Sequence, residues 1–395
     1  MTDVDYADLV HTGPGTLAGR YLRLFWQPIY RGHDLEAGQA VPIKVLGEPF
    51  TLYRGEVPSS GTRNPELGTP HVVAFRCAHR GTQLSTGWVE GDCIRCLYHG
   101  WKYDASGQCV EQPGEDASFA SKVSIRSYPT QEYLGLIFAY LGEGEPPPIR
   151  RYPEFEREPV LEVFAPDIWP CNFFNRIDNF CDVGHVAFTH QESSRRRNRA
   201  VGIGKISAEE TAYGIKMTHL EKGTPSSHSF VDMPNTNHLA PSTPGGRPGD
   251  RLFFRVPIDD GYCVSYCVER TGLSGDAARQ YDERRRETAR ETVATTDEVG
   301  MAVLAGKMRI RDIDVRTNLS GTGYTDLFWT EDYVAQVGQG TIADRATERL
   351  GRTDVGVILL RKLWQRELEA LADGRPLKQW ATSSGQAEGT ITAGV

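Results

Sequence analysis

Two short stretches of the chain each join one cysteine to one histidine: Cys77-Ala-His79 and Cys96-Leu-Tyr-His99. Thiolate and neutral imidazole are both good metal ligands. Two loops that each supply one of each can clamp the two ends of a [2Fe–2S] cluster, with the cysteines on one iron and the histidines on the other. The glycines at Arg80-Gly81 and Gly100-Trp101 suit tight loops that aim backbone N–H groups at cluster sulfurs. Zinc is the competing reading, because Cys93-x-x-Cys96 has zinc-knuckle spacing. Zinc sites usually take two cysteines from one loop and two histidines from another, which leaves the Cys77/His79 pair unexplained. On the cluster reading, Cys93 is a small buried residue in a strand leading to its loop.

A second constellation lies further on, in Asn179-Phe-Cys-Asp182-Val-Gly-His185-Val-Ala-Phe-Thr-His190. Two imidazoles and one carboxylate around open coordination positions are the ligand set of Fe(II) oxygenases. Geometry sets a condition. At about 100° per residue, His185 and His190 on one ideal helix would point about 140° apart. They share a metal only if the helix bulges or ends between them, for example at a π-turn. Asp182 and His185, three residues apart, are natural neighbours. The plain alternative is a pair of histidines packed or solvated on a helix.

These loops need a scaffold. With 395 residues the chain exceeds what one core comfortably holds, so two domains are expected. Short β-rich runs, such as 41–47, 50–55, 71–77 and 134–142, fill residues 40–142 and are punctuated by Gly, Pro and Asn. The stretch EGEPPPIRRYPEF, 143–155, loses the apolar pattern and reads as a linker. The expected domains are therefore 1–150 and 151–395. In the second, a helix is expected over 175–190 and strands near 211–221 and 252–269. Helices are expected over about 276–308, 330–350 and 354–373, and a loose polar tail ends the chain.

Composition narrows the function. The net charge of −8 argues against a nucleic-acid binder. The most apolar stretch, YLGLIFAYLG at 133–142, is too short to span a bilayer and reads as one buried strand. The start lacks the layout of a signal peptide. A cytoplasmic chain keeps its thiols reduced, so the eight cysteines read as ligands or buried small residues rather than disulfides. Cys263 and Cys267 would share one buried strand face. No G-x-G-x-x-G or flavin fingerprint is present.

The run CAHRG followed by CLYHGW resembles the cluster-binding fingerprint of the Rieske non-haem iron oxygenases. GPGTLAGRYLRLFWQPI at 13–29 and TIADRATERLGRTDVGVILLRKLW at 341–364 are similar to the phthalate and phenoxybenzoate dioxygenase branch, which includes aromatic O-demethylases. The resemblance implies an α+β protein: an N-terminal all-β Rieske domain, then a catalytic domain of antiparallel sheet surrounded by helices. It implies Cys77, His79, Cys96 and His99 as cluster ligands, and His185, His190 and Asp332 as ligands of a mononuclear iron. Asp332 falls at the matching position in WTEDYVAQVGQG, with Glu331 beside it as the competitor.

By the same resemblance, subunits form head-to-tail homotrimers in which Asp182 links the neighbour's His99 to His185 by carboxylate–imidazole hydrogen bonds. Asn179 lies beside the iron or bonds the backbone. NADH is oxidised by a separate reductase with flavin and its own iron–sulfur centre, with or without a ferredoxin. The expected reaction is O2-dependent ring hydroxylation of an aromatic, carboxylated compound. The alternatives are oxidative O-demethylation of a methoxylated aromatic acid, and an electron-transfer protein with a non-catalytic ligand-binding domain. The arginine run Arg195–Arg199 could attract a carboxylate, dock the reductase or be a solvated loop.

Overall fold

The computed structural model describes residues 4–56, 68–158, 161–196, 202–221, 224–239, 250–277, 279–280, 297–313 and 324–381. The chain divides into two compact units, Thr12–Pro147 and a second that joins Met1–His11 to Pro148–Val395. The division falls close to residue 150, but the first eleven residues belong to the second unit. Asn172 explains this: its buried amide donates to the Val10 carbonyl at 2.9 Å and the Asp260 carbonyl at 2.8 Å. The helix Tyr6–Val10 buries Leu9 and Val10. The expected linker also belongs partly to this unit, since Pro153–Glu156 is helical and Tyr152 and Phe155 are buried.

The sheets of the first unit are all antiparallel, and the helix Leu17–Arg23 precedes them. One sheet pairs Trp26–Arg31, Leu136–Tyr140 and Thr130–Tyr133, a second runs Ala40–Val45, Glu48–Arg54, Pro70–Ala74, Ser127–Tyr128, and a third holds Trp88–Glu90, Cys93–Arg95, Lys102–Tyr103 and Cys109–Glu111. Residues 133–142 are not the single strand expected from their apolarity. Leu134 and Gly135, with φ of 52° and 79°, form a two-residue hairpin turn. Positive φ at both central residues matches the twist of the strands they join. Leu46-Gly47 makes the same turn one sheet away. Each leucine is buried, which offsets the cost of its left-handed backbone.

The second unit is built on an eight-stranded antiparallel sheet. Its order is Leu161–Val163, Cys263–Arg270, Arg251–Pro257, Thr236–Leu239, Thr224–Asp232, Gly214–Glu221 and Lys205–Glu210, with Asp167–Trp169 also paired to Cys263–Arg270. Cys263 and Cys267 are buried on that strand. Helices Phe173–Cys181, Tyr324–Val337 and Val355–Ala372 accompany the sheet, giving the α+β class. Residues 338–350, expected to continue a helix, form a loop instead. Most of the expected 276–308 helix, and the tail from 382, lie outside the described residues, while 297–304 are helical.

The helix Phe173–Cys181 is tightly held. Trp364 packs against Phe173 and Phe174, with ring centroids 5.7 and 5.4 Å away. A side chain at Gly356 would collide with the Cys181 carbonyl, so the helices approach closely there. The buried Asp178 carboxylate accepts from Arg361 Nη2 at 2.7 Å and Arg345 Nε at 3.1 Å. Removing it takes the carboxylate partner from the buried Arg345 and one of two from Arg361, which keeps Glu348. Asp178→Ala is therefore expected to cost about 3 kcal/mol, seen as a lower thermal unfolding midpoint of the full chain. No helix among the described residues is long and apolar enough to cross a membrane.

Candidate metal centres

In the first unit, Cys77/His79 and Cys96/His99 sit on two loops with the same hydrogen bonding. Cys77 N–H donates to the Thr82 carbonyl and its own carbonyl accepts from Gly81 N–H, at 2.8 and 3.0 Å. Cys96 does the same with Trp101 and Gly100, at 2.8 and 3.1 Å. Gly81 and Gly100 have φ of 75° and 70°, which glycine adopts freely. The arginine before each cysteine locks its loop: Arg76 Nη1 donates to the Gly81 carbonyl and Arg95 Nη1 to the Gly100 carbonyl, both at 2.8 Å. The repeated Arg-Cys-x-x-x-Gly spacing was the sequence signal for these two arginines.

Both thiols point into the core and the imidazoles lie further out. The His79 and His99 rings are 4.4 Å apart, and His79 stacks on Trp101 at 4.5 Å. Burial, then the opposing Tyr98 amide and the neighbouring Cys77 sulfur, leave the Cys96 thiol above its ordinary pKa. Cys93 is half-buried at the start of its strand, among Asp92, Lys102 and Asp104.

Tyr103, which sequence reasoning missed, sits 3.2 Å from Cys77 Sγ and accepts the Ala78 N–H at 3.2 Å. Burial, then the Cys77 sulfur, pushes its phenol pKa up, so it stays a donor. A hydrogen bond to a cluster sulfur favours the electron-rich reduced state. Tyr103→Phe is expected to lower the cluster's reduction potential by roughly 20–60 mV, the equivalent of one hydrogen bond for a one-electron couple. Redox titration of the visible spectrum measures it.

In the second unit, the expected 175–190 helix is broken. Phe173–Cys181 ends at Asp182, a 3-10 turn carries Val183–His185, and a short helix Val186–Thr189 ends at His190. The break precedes His185 and involves no π-turn. Between the two histidines the chain passes from a 3-10 turn to a short helix that ends at His190. His185 Nε2 and His190 Nε2 each lie 3.6 Å from Asp332 Oδ1. Among the described residues, these three form the one group of His, Cys, Asp and Glu whose ligand atoms converge, all within 4.8 Å of one another.

Asp332 Oδ1 is buried and has no hydrogen-bond partner among the described residues. At 3.6 Å the imidazoles are too far to donate well, but ligands about 2.1 Å from one metal and 90–120° apart lie about 3.0–3.6 Å from each other. The triad fits a bound cation, and two imidazoles with one carboxylate leave positions open in the manner of Fe(II) sites.

Glu331 is separated from this role by its own bonding. It is fully buried and both of its oxygens are taken by Glu192 N, Ser193 N, Ser193 Oγ and His190 Nδ1. Phe328 stacks on the His190 ring at 3.6 Å.

Asp182 ends one helix and caps the next turn. Its Oδ1 accepts the His185 backbone N–H at 3.2 Å, while His185 Nδ1 contacts the Asp182 main-chain carbonyl. The expected carboxylate–imidazole bond to His185 is thus made by the main chain instead. Burial pushes the Asp182 carboxyl pKa up. Asn179 is half-buried, its carbonyl accepts the Asp182 N–H at 3.1 Å, and it is not among the converging ligands. Arg195 is exposed and pairs with Glu192 at 2.6 Å; Arg197–Arg199 lie outside the described residues.

A cysteine–histidine cluster site followed by a two-histidine, one-carboxylate site defines a class: oxygenases that feed electrons from an iron–sulfur centre to a mononuclear iron. Residues 25–129 match the Rieske [2Fe-2S] domain. The chain is 28% identical over 386 residues to the 5,5'-dehydrodivanillate O-demethylase oxygenase subunit of Sphingobium sp. (strain NBRC 103272 / SYK-6), covering 94% of this chain and 81% of that one. It is 26% identical to the phenoxybenzoate dioxygenase subunit alpha of Ectopseudomonas oleovorans, covering 91% and 84%. Its fold is shared with the oxygenase in the reduced complex between oxygenase and ferredoxin in carbazole 1,9a-dioxygenase, at a TM-score of 0.62, 18% identity and 95% and 99% coverage. The chain belongs to the Rieske non-haem iron oxygenases, as the terminal oxygenase component, with a [2Fe–2S] cluster and a mononuclear iron.

Proposed function

We propose that Cys77, His79, Cys96 and His99 hold the cluster, that His185, His190 and Asp332 hold the mononuclear iron, and that the enzyme hydroxylates the ring of an aromatic, carboxylated compound with O2. The observation that carries the iron assignment is the unbonded Asp332 Oδ1 facing both histidine Nε2 atoms at 3.6 Å. Iron bound there would supply O2 activation, while this chain's side chains bind and orient the substrate. Aromatic rings adjoin the ligand-bearing elements: Phe253 lies 6.4 Å from Phe180 and 6.1 Å from Trp329, between centroids. Such a surface suits a flat apolar ring. Oxidative O-demethylation of a methoxylated aromatic acid is the second reading, favoured by the similarity to a subunit named as an O-demethylase.

Electrons come from NADH through a separate flavin and iron–sulfur reductase, with or without a ferredoxin. A solved oxygenase of this fold is held in complex with a ferredoxin, which supports such a partner. The chain works in the cytoplasm as a head-to-tail homotrimer in which the cluster of one subunit serves the iron of the next.

The test is a panel of aromatic acids and aryl ethers, incubated with NADH and a surrogate reductase. A product heavier by oxygen supports ring hydroxylation. Formaldehyde with a product lighter by CH2 supports demethylation and overturns the first reading. NADH oxidation without any oxidised product across the panel would count against both.

A further inference from the structure

Glu331 meets four donors with its two oxygens. Oε1 accepts the backbone N–H groups of Glu192 and Ser193, both at 3.1 Å. Oε2 lies 2.7 Å from the Ser193 hydroxyl and 3.1 Å from His190 Nδ1. His190 itself is 1% exposed, and Phe328 lies parallel to its ring within 8°.

We propose that Glu331 is the positioning residue that fixes His190 in the tautomer able to bind metal. A neutral imidazole has one N–H and one bare nitrogen, and the partner of the first decides which is which. A carboxylate only accepts. Facing Oε2, Nδ1 must carry the hydrogen, and the lone pair of Nε2 is left toward Asp332. At His185 the Asp182 main-chain carbonyl does the same work. At His190 the work falls to a side chain, so it can be changed by substitution. The inference rests on the reading of His185, His190 and Asp332 as the iron site.

Glutamine separates this role from simple capping. In Glu331→Gln the side-chain carbonyl must face the two backbone N–H groups, because an NH2 there would set donor against donor in a buried place. The NH2 then faces His190 Nδ1 and donates to it. Nδ1 loses its hydrogen, Nε2 gains one, and the ring no longer offers its lone pair to the metal. Shape and helix capping survive.

The experiment uses the full chain with its cluster, equilibrated anaerobically against graded Fe(II), with bound iron read above the cluster's own content. Glu331→Gln is expected to weaken Fe(II) binding by about 10–100-fold, the cost typical of losing a ligand's hydrogen-bond partner, with the cluster spectrum and thermal midpoint unchanged. Ser193→Ala removes a donor from the same oxygen but leaves the His190 tautomer alone, so it should bind Fe(II) as wild type does. Wild-type affinity in Glu331→Gln would overturn the proposal. So would a loss of about 10-fold or more in Ser193→Ala, a result that can be read even if the glutamine variant fails to accumulate. A wild-type chain that takes up no iron beyond its cluster would overturn the iron reading, and the proposal with it.

Discussion

Asp332→Ala is expected to remove the mononuclear iron, abolish product formation and leave the cluster's visible spectrum unchanged. The loss should exceed the roughly 100-fold that follows from removing a hydrogen-bond partner of a ligand, because on the proposed assignment a ligand itself is gone. The effect is selective for a physical reason. Asp332 Oδ1 is buried yet accepts no hydrogen bond among the described residues, so it contributes little to the fold without a cation. A buried carboxylate lacking donors destabilises. The iron-free variant should therefore unfold at a temperature no lower than iron-free wild type. Iron content, product yield and thermal unfolding check the three claims. A variant that keeps its iron would show that the carboxylate ligand lies elsewhere.

Part of the proposed site was legible because several of the residues proposed as ligands are close in sequence, although Asp332 is not. Cys77/His79 and Cys96/His99 declare themselves by type and spacing. The expected break between His185 and His190 was legible only in part: the main break lies before His185, and the following short helix ends at His190 itself. Where the break falls was not legible. Asp182 ends the helix by capping, and the residue could as well have stood inside it. Glu331 and Asp332 are adjacent acids of similar chemistry, about 100° apart on one helix. Only the packing of that helix against Glu192 and Ser193 separates a capping carboxylate from a ligand. The hairpin at Leu134-Gly135 was hidden because a leucine in a left-handed turn is permitted by its burial, which a local pattern does not record. The residues around Asn172 show the same limit: the contact that recruits the first helix to the second unit spans 162 positions of sequence.

Asp182→Asn is the variant with the largest expected effect outside the ligand set. Asparagine caps a helix start as well as aspartate does, so its carbonyl oxygen should keep the bond to His185 N–H and the turn should survive. The contact that orients the His185 ring runs through the Asp182 main-chain carbonyl, which the substitution does not touch. Cluster and iron should both be retained. What changes is the side chain's remaining capacity. A carboxylate can accept from a second imidazole, such as the neighbouring subunit's copy of His99, whereas an amide presents donors on one side. If electrons leave the cluster through that link, the variant's cluster should be reduced by its partner at the wild-type rate. Reoxidation with substrate and O2 should then slow by about 100-fold, the upper end of what loss of such a hydrogen bond costs. Stopped-flow spectra of the cluster follow both steps in one sample. Wild-type reoxidation would rule out Asp182 as the bridge, and loss of iron from the variant would reassign it to holding His185.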